Sequence, residues 1–416
     1  MRILLVNDYA PPCGGAEIII HGHARELIAR GHEVRMLTSR AGLDDPAQHA
    51  YRPDFVAAGT MSAWRTPLQV ANPGARAAVR RAVREFRPEV VHVGLFLTQL
   101  SPLALDPLEG VPTLYHAQWY RAVCPTGGRR LPNGAECTFQ WGRACRREGC
   151  LSIPAWGGMM IQRRLWHARR RMFDLVVVPS EFVRASLADA GFGRIDVIPN
   201  PVVPAVERSA GTSGVAPDNE ARPRDDELQR DVEPHGPLVA FAGRLVPEKG
   251  AATLLDAIAT LSARLDHVRL MIIGDGPERP KLERRATRPD LRGRVEFTGW
   301  LERREVERRL SGSSVQVVPS EWSEPFGIVA AEALARGTPV VASDVGALPE
   351  IIEDGVSGLL APPGDAEALA SRIGRILDDT ALRGRLAEAG LARAERFTIG
   401  RFADAMLAAY ERTIAA

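Results

Sequence analysis

Two glutamates, Glu324 and Glu332, close the run Ser320-Glu-Trp-Ser-Glu-Pro-Phe-Gly-Ile-Val-Ala-Ala-Glu332. Pro325 and Gly327 suit the start of a helix and not its interior, so the run predicts a helix from Ile328 to Ala335. Glu324 then lies in the loop before the helix, and Glu332 lies inside it. Helical side chains lean toward the N-terminus, so both carboxylates can reach a ligand seated at that end. The amides of Phe326, Gly327 and Ile328 and the positive end of the helix dipole would meet it there, and these suit a phosphate. Carboxylates accept hydrogen bonds from hydroxyls. A ligand that carries both groups is a nucleotide sugar. Taken alone, the two glutamates also fit a plain helix with acids in its first turns.

A second run, Phe241-Ala-Gly-Arg-Leu-Val-Pro-Glu-Lys-Gly250, follows a β-branched stretch. Arg244 and Lys249 would sit at the carboxyl end of that strand. They could bracket a diphosphate, one as a planar fork and one as a point charge. Lysine occurs only at Lys249 and Lys281, and every other cation is arginine. A lysine in this loop therefore asks for a reason, although two solvated loop charges would look the same. The chain has no Asp-x-Asp pair of the kind that holds a diphosphate through a divalent ion. The two cations and the helix N-terminus would have to neutralise a leaving group instead.

Three further groups stand out. Cys124, Cys137, Cys145 and Cys150 fall in a stretch rich in Gly, Arg and Pro that has little apolar material to hold it together. Four thiolates could bind a structural zinc and staple it. Free thiols, or disulfides in an oxidising compartment, fit the same spacing; Cys13 stands apart in the first loop. Arg76, Arg80 and Arg84 recur at helical spacing, with Arg81 and Arg87 nearby, and Arg163, Arg164, Arg169, Arg170 and Arg171 form a second cluster. Such faces can touch a membrane, and more often are solvated helix surfaces. His116 and His92 both fall at or near strand ends; His92 reads as structural or acceptor-side.

These residues need elements to position them. Short β-branched runs alternate with amphipathic helical stretches: Ile3–Val6, Glu33–Leu37, Val90–Val93, Thr113–Tyr115 and Leu175–Val178, then Val239–Ala242, Leu270–Ile273, Val295–Thr298, Val315–Val318 and Val340–Ala342. This is the pattern of parallel sheets with crossover helices, occurring twice. Gly31 and Gly337 end helices. In such α/β sheets ligands bind beyond the carboxyl ends of the strands, where these motifs fall. Two doubly wound domains facing across a cleft would bring both sets of strand ends together. Between the two series, Pro204–His235 is rich in Pro, Gly, Ser and charge, and reads as a linker. The predicted boundaries are a first domain over 1–198 with a Cys-rich insertion at 121–155, a linker over 199–236, a second domain over 237–395 and a closing helix over 396–416; the resemblance described below implies that the first binds the acceptor and the second the donor.

Composition agrees with a folded globular protein. The chain has 416 residues, more than one core usually serves. Its 53 basic and 51 acidic residues leave a net charge of +2, which gives no general reason to expect nucleic acid. No apolar run approaches the roughly 18 residues of a membrane span, and MRILLVNDYAPP turns polar too soon for a signal peptide. A cytoplasmic protein with reduced cysteines is expected, with any membrane contact peripheral.

The motifs in order resemble the GT-B glycosyltransferases of family 4, the retaining enzymes that use nucleotide-diphosphate sugars. The resemblance rests on Gly14-Gly-Ala-Glu17, Gly243-Arg-Leu-Val-Pro-Glu-Lys-Gly250, Gly274-Asp-Gly-Pro277, Phe297-Thr-Gly299, Glu324-x7-Glu332, Gly337-Thr-Pro-Val-Val-Ala-Ser343 and Gly355-Val-Ser-Gly358. It implies that Arg244 and Lys249 hold the donor diphosphate. Glu332 would bind the ribose, and Glu324 the sugar, with Pro325 and the amides from Phe326 through Gly327 to Ile328 beside it. The Gly299-Trp300-Leu301 backbone would lie near the base. Gly14 and Gly15 would let the first loop approach the phosphates. The family commonly places a histidine at His116, beside the transferred sugar; a backbone-bonded strand-end histidine is the plainer reading. The implied reaction retains configuration by front-face attack, with UDP the first donor nucleotide and GDP the second. No cofactor is required, and the acceptor hydroxyl belongs to a lipid, a glycan or a small metabolite. Were a carboxylate to attack, a covalent glycosyl-enzyme would form. Other readings are a GT-B epimerase or phosphorylase, and a sugar-nucleotide-binding protein without catalysis. A dehydrogenase is disfavoured, because the first βα turn lacks G-x-G-x-x-G.

Overall fold

The computed structural model describes residues 1–11, 14–43, 52–203 and 236–416. Cys13 and the stretch read above as a linker, 204–235, lie outside the described residues. The chain divides into two compact units, Met1–Val203 with Phe397–Ala416, and Pro204–Arg396.

The first unit holds a parallel sheet of β1 (Arg2–Asn7), β2 (Glu33–Ser39), β3 (Phe55–Ala57), β4 (Val90–Val93), β5 (Thr113–His116), β6 (Leu175–Val178) and β7 (Ile195–Val197), in the order β3-β2-β1-β4-β5-β6-β7. Its register pairs Ile3 with Val34 on one side and with Val90 on the other. Ile3, Leu4, Leu5 and Val6 are all buried, as expected of a strand covered on both faces. The strand order reverses between β1 and β4.

The second unit holds β8 (Leu238–Ala242), β9 (Arg269–Ile273), β10 (Val295–Gly299), β11 (Val315–Val318), β12 (Val340–Ser343) and β13 (Leu359–Ala361), also parallel, in the order β10-β9-β8-β11-β12-β13. Its reversal falls between β8 and β11. The core packs Val239, Leu254, Ile258, Leu270, Ile272 and Val317 between the sheet and its helices. The α/β, doubly wound reading is thus borne out twice. Three strands escaped the sequence pattern: β3, β7 and β13, each a three-residue edge strand.

The last helix, Ile399–Ile414, belongs to the first unit. Val202 N–H donates to Phe397 O at 2.7 Å where the chain returns. The helix buries Phe402, Met406 and Tyr410. The Tyr410 hydroxyl is hydrogen-bonded to His23 Nε2 at 2.9 Å and to His92 Nδ1 at 2.7 Å. No described helix is long and apolar enough to cross a membrane.

Candidate functional site

In the second unit the loops after β8 and β11 meet at the strand-order reversal, where doubly wound sheets bind ligands. The β8 loop leaves Arg244 exposed, with no ion-pair partner among the described residues. A short 3-10 turn, Pro247–Lys249, follows. Gly250 then starts the helix Ala251–Ser262 at φ 68°, and a Cβ there would stand 1.8 Å from Pro319 O. Only glycine lets the two loops approach this closely.

That approach brings Lys249 to Glu324. Lys249 Nζ donates to Glu324 Oε1 at 2.5 Å, and Ser320 Oγ donates to the same oxygen at 2.7 Å. Glu324 is buried, while the Lys249 side chain keeps 24% of its surface. Lys249 Nζ also lies 5.5 Å from the centre of the Trp322 ring. Burial alone would raise the Glu324 carboxyl, but Lys249, then Ser320 and Trp322, outweigh it and hold it below its ordinary value. Glu324 is therefore an anion that accepts hydrogen bonds.

The predicted helix spans Ile328–Ala335, with Gly327 at its N-cap at φ 103°. A Cβ on Gly327 would stand 2.6 Å from Leu348 Cδ2. The amides of Gly327, Ile328 and Val329 donate to no backbone carbonyl among the described residues. They are the orphan donors of a helix start. Pro325 and buried Phe326 lead into that start. Glu332 lies within the helix and accepts from Arg303 Nη2 at 2.8 Å. Burial raises its carboxyl, which Arg303 and Arg336 oppose. The two glutamates thus have separate cations. Neither Arg303 nor Ser320 was singled out by the sequence: Arg303 is one arginine among many, and Ser320 gains its meaning only from the loop.

Gly299 ends β10 at φ 74°, and Gly274 N–H donates to its carbonyl at 2.9 Å. Trp300 follows with 76% of its surface exposed, and Leu301 packs back on the sheet. Arg244, Lys249, Trp300 and Glu324 all follow strand ends of this one sheet.

The remaining predicted residues belong to the first unit. Gly14 caps the helix Gly15–Ala29 in extended backbone after β1. At this unit's reversal two acids are buried, Glu17 of the Gly14–Glu17 motif and Asp8, a residue the sequence pattern does not single out. Its carboxylate accepts from Thr98 N–H and Oγ1–H, Gln99 N–H and Leu100 N–H at 2.6–2.9 Å. It thereby fixes the loop after β4. His116 is the last residue of β5 and is buried, its ring 5.3 Å from that of His92 and 5.9 Å from Phe402. Its Nδ1 lies 3.3 Å from Gln118 Nε2. Burial drives His116 down to about 3, so it is neutral at physiological pH. His92 is structural here, through Tyr410.

The basic stripes are partly engaged. Arg76 and Arg169 both pair with Asp106, at 3.3 and 2.5 Å, and Arg170 lies 4.5 Å over the Phe192 ring. Arg80, Arg81 and Arg84 are exposed.

Comparison with known proteins agrees with this architecture. The family model described as Glycosyl transferases group 1 matches residues 225–393, and that of Glycosyltransferase Family 4 matches residues 13–206. Alpha-D-kanosaminyltransferase of Streptomyces kanamyceticus is 38% identical over 152 residues, 36% of this chain and 39% of that protein. D-inositol 3-phosphate glycosyltransferase of Xylanimonas cellulosilytica is 37% identical over 229 residues, 54% of this chain and 52% of that protein. The chain thus spans about half or less of these relatives' length. Among solved structures, Anabaena Alr3699/HepE in complex with UDP and glucose superposes with a TM-score of 0.68 at 21% identity, covering 99% of each chain. With one family model on each unit and the whole fold shared, the chain belongs to the GT-B glycosyltransferases of family 4.

Proposed function

We propose that this protein is a retaining glycosyltransferase that moves a sugar from a nucleoside-diphosphate sugar to a hydroxyl without a divalent ion. The observation that carries the reading is the Lys249–Glu324 pair at the β8/β11 reversal, with exposed Arg244 in the same loop as the lysine and the orphan amides of the helix at Ile328 just after the glutamate in sequence. Arg244 and Lys249 neutralise the diphosphate as it leaves, as fixed donors aimed at developing charge do. Glu324, kept ionised, accepts from sugar hydroxyls, and Glu332 from the ribose. Trp300 offers its face to the base.

In the proposed step the bond from the anomeric carbon to the diphosphate oxygen breaks. The acceptor oxygen bonds to that carbon from the same face, and its proton passes to the departing phosphate. No carboxylate becomes a nucleophile. His116, neutral and packed against His92 and Phe402 inside the first unit, takes no part in this step. UDP is the first donor nucleotide, a choice supported by the fold shared with Alr3699/HepE, whose structure holds UDP and glucose; GDP is the second. The acceptor hydroxyl comes from a lipid, a glycan or a small metabolite. For a lipid, exposed Arg80, Arg81 and Arg84 would meet the membrane surface from the cytoplasmic side.

Calorimetric titration of EDTA-treated protein with UDP, GDP, ADP and TDP tests this, beside Lys249→Ala. One nucleotide should bind tightly and lose at least about 100-fold in affinity in the variant. Binding that appears only with a divalent ion overturns the metal-free clamp. Binding without transfer from any matching sugar nucleotide favours a non-catalytic sugar-nucleotide protein.

A further inference from the structure

The four cysteines of the first unit come together. Cys124 follows the 3-10 turn Tyr120–Ala122, its N–H donating to Tyr120 O at 2.7 Å. Cys137 ends a narrow hairpin, its N–H donating to Arg129 O at 2.7 Å. Cys145 lies on the short helix Ala144–Arg147, and Cys150 follows it, with Leu151 N–H donating back to Cys145 O at 3.0 Å. All four side chains line one small cavity of about 10 Å³, whose other walls include Leu131, Phe139 and Ala144. That is room for a single water-sized occupant. All four are free thiols.

The segment has almost no core of its own. Between residues 121 and 152 the buried apolar side chains are Ala122, Pro125, Trp141 and Cys145. Regular pairing there amounts to the bridge between Arg130 and Glu136 and one turn of helix. Such a segment cannot be held by hydrophobic burial alone, and small domains in this position use disulfides or a structural metal. Four sulfurs around one ion-sized space match the tetrahedral preference of zinc.

We propose that Cys124, Cys137, Cys145 and Cys150 close on one zinc ion that staples this segment over the end of β4. Among the described residues no group of three or more His, Cys, Asp or Glu side chains stands as a ready metal site. Ligation therefore draws the sulfurs inward across the cavity to about 2.3 Å from the ion. Zinc takes the sulfurs as thiolates, so binding releases thiol protons to the buffer, with no change of oxidation state. The staple also fixes Trp141, over which Arg121 lies at 6.0 Å. Arg121 is buried and donates through Nε and Nη2 to Leu97 O, so the stapled segment sets the loop after β4.

The test uses the full chain, purified under reducing conditions and titrated with zinc alone. One zinc per chain should bind, with proton release, and native labelling of the half-buried Cys124, Cys137 and Cys150 should fall. Cobalt in place of zinc should give the visible bands of a tetrahedral thiolate site. Cys137→Ser and Cys145→Ser should each lose the bound metal, while Cys13→Ser keeps it. The proposal fails if zinc leaves all thiols reactive, if the cobalt spectrum is octahedral, or if both serine variants keep stoichiometric metal. Disulfides among these four cysteines in freshly purified protein would also overturn it. Should the serine variants not fold, the wild-type titration and thiol count still decide.

Discussion

At the β1/β4 reversal Asp8 and Glu17 are both buried, and four donors from one loop already fill the Asp8 carboxylate. At the β8/β11 reversal the buried acid is Glu324, held by a partly exposed lysine and a serine hydroxyl, with an exposed arginine and orphan helix amides close in sequence. The topology is the same and the use of the acid is opposite. Asp8 is spent on architecture. Glu324 is kept charged by a cation that solvent, or a ligand, can still reach. A strand-order reversal supplies a place for a ligand, and the partners of its acid decide whether one is met there.

Acidification should separate the two units most. His23 and His116 are driven to about 3 by burial, and His92 well below its ordinary value. The unfolded chain takes up protons at these rings near pH 6.5, while the folded unit keeps them neutral. Their contribution is therefore intact above pH 6.5 and lost as pH falls from there toward 3. At pH 5.5 the cost is roughly 1.4 kcal/mol for each of His23 and His116, or about 3 kcal/mol for the two, and His92 acts in the same direction. The Lys249–Glu324 pair behaves differently, because the Glu324 carboxyl is lowered from 4.5, so its contribution persists above that pH and fades only below it. Calorimetry at pH 7.5 and 5.5 should show the first unit's transition fall steeply and the second's barely move. Equal shifts would break the contrast.

Lys249→Ala comes next. It leaves Glu324 buried without its cation and should cut kcat/KM about 10²- to 10³-fold in a transfer assay. Asp8→Ala should instead cost stability, about 2–3 kcal/mol by denaturant titration, because three loop amides lose their acceptor. Nucleotide affinity should be unchanged. A loss of nucleotide binding there would mean the first reversal is also a ligand site. The smallest effect expected is that of Trp300→Ala: an exposed side chain whose removal leaves Tm alone but weakens nucleotide binding roughly tenfold, the size of one aromatic contact.

Much of this was legible in the sequence because parallel strands buried on both faces read as plain apolar runs. Val90–Val93, Leu175–Val178 and Val315–Val318 fall where the pattern put them. The helix at Ile328 was marked by Pro325 and Gly327, whose backbone demands are local. Edge strands such as Phe55–Ala57 were not legible, since three residues carry no period. Side-chain partners were legible only in part. Lys249 drew attention by its rarity, but its bond to Glu324 depends on the close passage of Gly250 past Pro319, a tertiary fact. Arg303 and Asp8 have nothing local to distinguish them. The cluster of His23, His92 and His116 with Tyr410 joins residues up to 387 positions apart, so no window along the chain could contain it.

The return of the final helix to the first unit sets an order on biosynthesis. Residues Met1–Val203 leave the ribosome first, yet the helix that covers His23 and His92 comes only after all of Pro204–Arg396 has been made. At 5–20 residues per second that interval is roughly 10–40 s. During it the nascent first unit carries an uncovered apolar groove where Phe402, Met406 and Tyr410 will dock. The second unit needs no such wait. The unit made first is thus the one completed last, and a nascent chain stalled before Phe397 would present that groove to chaperones rather than a finished domain.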